Sequence, residues 1–336
     1  MRNLTLKLSW CAVKKPSFYP FKHRTMRILA LVPGGISEQI LFFPTLEDLK
    51  IQYPNAIIDV LVEPRAKVAY RVCPQVNEVL LFDYEDRSGL ADYLNLLGII
   101  RDREYDIALS LEKSWSIRLL LWLNGIPLTV GYGNKPTWFI SKAIPQKTEQ
   151  YVAEMYHDLM EGLDIQSTCP PLKIALPKDD ISWGEAEQKR LLLEESGYIL
   201  IYGGASESYP VPQWSNIINR IQEKQPSLSI VLLQGGGDEA WVNSLLSSCS
   251  NLKVTKPGDI GKLAAIIAGA NLMICTDSTP LQLGVAVGTY TVALFGKTNP
   301  KKRLPANDDR FIAIQSPTYN LGDIQASKVL EKIWRT

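Results

Sequence analysis

Short β-branched or leucine-rich runs alternate with segments of helical periodicity, and this alternation restricts the fold more than any other feature of the chain. Arg27 to Val32, Ile57 to Val62, Glu78 to Phe82 and Asp106 to Leu111 have the length and residue types of strands. Between them, Leu41, Leu46, Leu49 and Tyr53 recur at helical spacing before Pro54, and Leu90, Leu94, Leu97 and Ile100 do so before Asp106. A strand that returns through a helix lies parallel to its predecessor, so the pattern predicts a parallel sheet covered by helices. After Leu128 to Gly131 the pattern becomes irregular. Pro136, Pro145, Pro170, Pro171 and Pro177 punctuate it, and Gln166 to Asp180 reads as a connector.

A second series follows. Tyr198 to Tyr202, Ser229 to Leu233, Leu272 to Cys275 and Thr291 to Phe295 read as strands; Val211 to Lys224, Asp238 to Ser248, Ile260 to Gly269 and Thr279 to Val287 read as helices. The expected class is α/β, with a Rossmann-like, doubly wound lobe over residues 26–170 and another over 171–336. In such sheets ligands lie beyond the carboxyl ends of the strands, so two facing lobes share a cleft lined by strand-to-helix loops. The closing segment, Ile324 to Trp334, is expected to form a helix that packs across the lobes.

Charge and residue counts exclude several functions. The whole chain carries a formal +1, which offers no field for non-specific nucleic-acid binding. Five cysteines form no CxxC pair and two histidines are too few for most zinc sites or histidine-based triads, so catalysis must lean on carboxylates. No apolar run is long enough to cross a bilayer. Residues 1–25 hold six basic and no acidic residues, which leaves the remainder net negative. Three readings stand for this segment: an upstream stretch with Met26 as the true start, a disordered basic tail, or an arm for a membrane surface.

The loops carry the candidate chemistry. After the first strand, Gly34 and Gly35 allow close backbone approach, and Ser37-Glu38 opens a helix whose dipole favours a negative charge. Glu38 is then either a base for an acceptor hydroxyl or a residue favoured by the dipole alone, with Ser37 as the helix cap. In the second half, Gly203, Gly204 and Ser206 follow a strand and leave room for a phosphate or sugar, and Glu239 follows three glycines where it can accept from a ribose or base. Asp277-Ser278-Thr279 leaves a buried strand and enters a helix. Either Asp277 or Ser278 caps that helix, with Asp277 holding main-chain amides, or the free amides of Ser278 and Thr279 bind a diphosphate. Gly296-Lys297-Thr298 lacks the glycine that a P-loop requires, and no GxGxxG follows the first strand. The acidic turn Asp83 to Asp86 reads as solvated rather than as a metal site.

The segments GGISEQILFFPTL, GGAS, GGGDE and CTDSTPLQLGVAVGTYTVALFGKTNP together resemble glycosyltransferase family 9, known for ADP-heptose lipopolysaccharide heptosyltransferases. The resemblance runs from about Met26 to the end. It implies a GT-B fold and an inverting, metal-independent transfer, with no cofactor, from a nucleotide-diphosphate sugar to a surface-glycan or lipopolysaccharide-type acceptor. The transferred sugar would be a heptose or a hexose. It also implies a cytoplasmic enzyme, at most peripheral to the inner membrane. The family's acidic base lies six positions before the proline of the first helix, which is Glu38 here, counted from Pro44. Asp277-Ser278-Thr279-Pro280-Leu281-Gln282 replaces D-[TS]-G-x-x-H, so Gln282 stands where the family has histidine, and Glu207 stands where a lysine is frequent. Leaving-group stabilisation then falls on main-chain amides, helped by Lys297 or Lys301. A non-catalytic sugar-nucleotide or glycan-binding protein of the same fold is the alternative, and a sugar-nucleotide epimerase ranks third.

Overall fold

The computed structural model describes residues 25–83, 89–135, 138–193, 197–204 and 209–334. The basic segment 1–25 therefore lies outside the described residues but for its last position, as do Ser206, Glu207 and most of the acidic turn Asp83 to Asp86. The first lobe contains β1 (Arg27–Leu31), α1 (Ile36–Gln52), β2 (Ile57–Val62), β3 (Glu78–Leu81), α2 (Leu90–Arg103), β4 (Ile107–Ser110), α3 (Trp115–Leu123), β5 (Leu128–Tyr132), β6 (Lys142–Ile144) and α4 (Val152–His157). The second contains α5 (Lys178–Arg190), β7 (Tyr198–Tyr202), α6 (Val211–Lys224), β8 (Ser229–Leu233), α7 (Glu239–Ser248), β9 (Leu252–Thr255), α8 (Ile260–Ala268), β10 (Leu272–Thr276), α9 (Thr279–Val287), β11 (Thr291–Phe295), β12 (Phe311–Gln315) and α10 (Ala326–Trp334).

Each lobe holds a six-stranded parallel sheet. The orders are β3-β2-β1-β4-β5-β6 and, read from the opposite edge, β9-β8-β7-β10-β11-β12. These are the same topology, with the strand order reversing between β1 and β4 and between β7 and β10. The chain leaves adjacent central strands on opposite sides at such a point, which opens a crevice at their carboxyl ends. The loops after β1 and β10 border these two crevices.

Central strands such as Ile28 to Leu31 and Met273 to Cys275 are buried on both faces, as parallel sheets covered by helices require. Helix α1 is buried along nearly its whole length, from Gln39 to Leu49, because it lies on the sheet and also packs against α4 and α9. The α1 and α9 contact joins the lobes beside the crevices. A second junction lies at a 3₁₀ segment, Pro64–Val72, which packs on α8. There Arg71 donates to both oxygens of the buried Asp180 on α5, at 2.7 and 3.2 Å, and lies 3.6 Å from Asp259. His157 at the end of α4 meets the buried Asp48 of α1 at 2.9 Å, and Ser167 donates to the same carboxylate.

The closing helix departs from expectation. α10 packs on α6, and Val329 and Ile333 join the apolar cluster of the second lobe rather than crossing to the first. The amphipathic face of α10 needs one apolar partner, and α6 supplies it next in space. Strands β6, β9 and β12 and helix α5 extend the alternation read from the sequence.

Candidate active site

Several contacts fix the shape of the loop after β1. Gly34 has φ +100 and its amide donates to Glu63 Oε1, at the end of β2, at 3.1 Å. Gln39, fully buried, donates to the carbonyls of Val32 at 3.0 Å and Gly34 at 3.3 Å, and the Tyr70 hydroxyl donates to Gln39 Oε1 at 2.7 Å. Helix α1 starts from Gly35, whose backbone is extended and which makes no side-chain cap. Ser37 is thus a helical residue and not the cap. Its hydroxyl lies 3.2 Å from that of Thr279 on α9, a direct contact between the lobes. Glu38, in the first turn, is partly exposed at this junction.

Facing it, β10 ends at Thr276, whose hydroxyl donates to the Gly204 carbonyl at 3.1 Å. Ser278 is the N-cap of α9, but its hydroxyl donates back to the Thr276 carbonyl at 2.9 Å and accepts from no amide. Asp277 does not cap the helix either; its carboxylate turns to Arg303 at 3.5 Å. The amides of Ser278 and Thr279 make no hydrogen bond among the described residues, so the positive end of α9 faces the junction unsatisfied.

Other sequence candidates have structural partners. A Cβ on Gly203 would come within 2.6 Å of Trp214 and Trp241, and one on Gly204 within 2.2 Å of the Asp238 carboxylate. Both glycines make room for side chains of this chain. Glu239 is exposed in the first turn of α7, and Asp238 accepts the Gly235 amide at 3.1 Å. Gln282 is fully buried and donates to the Arg303 carbonyl at 3.1 Å, while its Oε1 has no partner among the described residues. It faces inward and braces the Arg303 backbone.

The residue that sequence reasoning missed is Arg303 itself. It follows a 3₁₀ turn, Pro300–Lys302, and its guanidinium lies between the lobes, 3.2 Å from Glu38 and 3.5 Å from Asp277. Lys301 is exposed and Lys302 pairs with Glu149 at 3.3 Å. Only position in the fold separates Arg303 from the two lysines before it. Tyr156 is half-buried beside the pair: desolvation pushes its hydroxyl pKa up, Glu38 adds to the rise and Arg303 opposes it. Among the described residues, no group of three or more His, Cys, Asp or Glu side chains could hold a metal ion. A cavity of about 620 Å³ lies at the amino ends of the strands of the second sheet, lined by Asn271, Tyr290 and Trp334. It brings no carboxylate opposite a helix amino terminus, so topology and charge point to the junction instead.

Comparison with known proteins bears on this arrangement. The model of the family described as "Glycosyltransferase family 9 (heptosyltransferase)" matches residues 94–333. Lipopolysaccharide heptosyltransferase 3 of Escherichia coli is 24% identical over 284 residues, 78% of this chain and 81% of the relative. The chloroplastic photosynthetic NDH subunit of subcomplex B 1 of Arabidopsis thaliana is 22% identical over 338 residues, 90% of this chain and 72% of the relative. A family 9 glycosyl transferase structure from Veillonella parvula superposes with a TM-score of 0.79 at 19% identity, covering 92% of this chain and 96% of that one. The E. coli heptosyltransferase WaaC with ADP superposes with a TM-score of 0.71 at 15% identity, covering 92% and 97%.

Proposed function

The chain belongs to glycosyltransferase family 9, and from that premise we propose that it is an inverting transferase. It moves a sugar from a nucleotide-diphosphate donor to the hydroxyl of a glycan or glycolipid acceptor. The observation that carries this reading is that Glu38 of one lobe and the unsatisfied Ser278 and Thr279 amides of the other border one junction, where the Ser37 and Thr279 hydroxyls are 3.2 Å apart and Arg303 reaches both Glu38 and Asp277. The donor sits with its diphosphate on the amino terminus of α9 and the acceptor enters from the first lobe. Glu38 takes the proton of the acceptor hydroxyl as that oxygen bonds to the anomeric carbon from the face opposite the phosphate. The bond from that carbon to the phosphate oxygen breaks, its electron pair leaves with the diphosphate, and the helix dipole and amides meet the developing charge. No metal or cofactor is needed for these steps. A lipopolysaccharide-type acceptor, carried by the Escherichia coli relative's name, would be reached from the cytoplasmic side by peripheral contact. No described helix is long and apolar enough to cross a membrane.

A binding role without transfer is favoured by two observations. Gln282 is turned into the protein where the family carries a histidine, and the plant relative bears the name of a complex subunit. Incubation of the purified protein with a panel of nucleotide sugars and glycan acceptors, read by mass spectrometry and anomeric proton NMR, separates these readings. Product of inverted configuration supports transfer. Donor binding with no product from any acceptor overturns it in favour of binding alone, and donor converted without acceptor would point to an epimerase.

A further inference from the structure

We propose that Arg303 is the cation that receives the donor's diphosphate, and that in the ligand-free protein it is parked on the base. The inference rests on the second lobe being the donor lobe, and it assigns the phosphate-facing charge to Arg303 in place of Lys297 or Lys301, because Arg303 is the one that reaches Glu38 and Asp277. Glu38 and Asp277 both border the junction, and two carboxylates alone would repel an incoming diphosphate. The guanidinium between them offsets one of these charges and sets a positive group where the phosphates arrive.

The contacts of Arg303 are those of a residue held ready to change partner. Against 3.1 Å for the exposed Arg220 and Glu223, several other guanidinium–carboxylate pairs of this chain close to 2.7 Å, as in Arg71 with Asp180, Arg190 with Glu187 and Arg310 with Asp308. Those are charge-assisted bonds at full strength. Arg303 reaches Glu38 only at 3.2 Å and Asp277 at 3.5 Å, and its Nη2 makes no hydrogen bond or ion pair among the described residues. Its backbone, by contrast, is fixed. The carbonyl accepts from the fully buried Gln282 at 3.1 Å, and the amide donates to the Pro300 carbonyl at 2.9 Å. Gln282 belongs to α9, so the helix that presents free amides also fixes the root of the guanidinium. A planar fork with spare donors matches the paired oxygens of a diphosphate.

The consequence is a coupling between donor and base. When the diphosphate arrives, the fork turns from Glu38 to the phosphate oxygens, and the carboxylate becomes available to the acceptor hydroxyl. During transfer the electron pair of the breaking carbon–oxygen bond moves onto the phosphate oxygen beside Arg303, and the acceptor proton moves to Glu38. Arg303 then touches the leaving group and is a catalytic residue of the transfer.

The test is calorimetric titration of the full-length protein with ADP, UDP and GDP, with the corresponding monophosphates and with inorganic pyrophosphate. The wild type, Arg303→Met, Arg303→Lys and Glu38→Gln are compared, with melting curves to check folding. Arg303→Met is expected to lose at least tenfold in affinity for the best-bound nucleoside diphosphate and less than twofold for its monophosphate, with Arg303→Lys between. Glu38→Gln, which unties the guanidinium, is expected to tighten diphosphate binding severalfold. A folded Arg303→Met that loses both nucleotides equally, or loses neither, overturns the proposal, as does a wild type that does not prefer diphosphates. Binding of a diphosphate that depends on Arg303, with no product in the transfer assay, supports this assignment while overturning the transferase reading.

Discussion

Replacing Gly34 by alanine tests whether the loop after β1 sets the position of the base. Gly34 has φ +100, where an L-residue carries a backbone penalty of about 1–3 kcal/mol. An added methyl would also stand 3.0 Å from Glu38 Cγ and 3.2 Å from its Cβ, so relief requires turning the Glu38 side chain and shifting its backbone by a few tenths of an ångström. Gly35 is the internal control. Its φ is −82, and a Cβ there would meet only Glu38 Oε2, at an ordinary 3.5 Å. Gly34→Ala is therefore expected to lower the melting temperature by several degrees, at roughly 2–4 °C per kcal/mol for a lobe of this size. Gly35→Ala should stay within about 0.5 kcal/mol of the wild type. In a transfer assay, a displacement of the carboxylate by about 1 Å is expected to slow turnover by about 100-fold in Gly34→Ala, with donor affinity little changed. Equal stability and equal turnover for the two variants would refute this account of the loop.

Two further substitutions probe the supports of the site. Asp259 caps α8, accepting from the Gly261 and Lys262 amides at 3.0 and 3.1 Å. Burial pushes its carboxyl up, but the Lys262 amide, the Arg71 and Lys262 charges and the Gly261 amide outweigh it and hold the group below its ordinary range. A depressed pKa in the folded state gives stability that is complete above the ordinary value near ~3.9 and is lost as the pH falls through the folded one. Urea melts of Asp259→Ala should show a loss of about 1 kcal/mol at pH 7 that shrinks below about pH 4. Tyr70→Phe removes the buried donor to Gln39 at 2.7 Å and should cost about 1–3 kcal/mol in the same assay, with a loss of turnover if Gln39 holds the loop.

The sequence made the layered α/β architecture legible because the central strands are buried on both faces and read as uninterrupted apolar runs. β12 and β6 pair on one side only, at the edges of their sheets, and Lys142-Ala143-Ile144 carries little of the residue bias of a strand. β9, Leu252-Lys253-Val254-Thr255, is an edge strand of the same kind. Helix α5 escaped notice because its buried positions include Asp180 and Glu187, whose partners Arg71, Arg190 and Thr255 are supplied in part from elsewhere in the fold. At the site, the loops carrying Glu38 and Ser278 could be found from their places after strands. The directions of side chains could not. Gly203 and Gly204 answer to Trp214, Trp241 and Asp238, and Gln282 turns inward to a carbonyl 21 residues away. Arg303 sits at the end of a basic run whose purpose depends on a contact with Glu38 across 265 residues of chain. No local pattern encodes a pairing at that separation.

The steady-state kinetics of Glu38→Gln, set beside its affinity for the nucleoside diphosphate, test the central claim most directly. Turnover is expected to fall by about 10²–10⁴-fold while diphosphate affinity holds or rises, because the variant keeps the binding lobe and loses only the proton acceptor. Undiminished turnover in Glu38→Gln would remove the carboxylate from the chemistry and contradict the account.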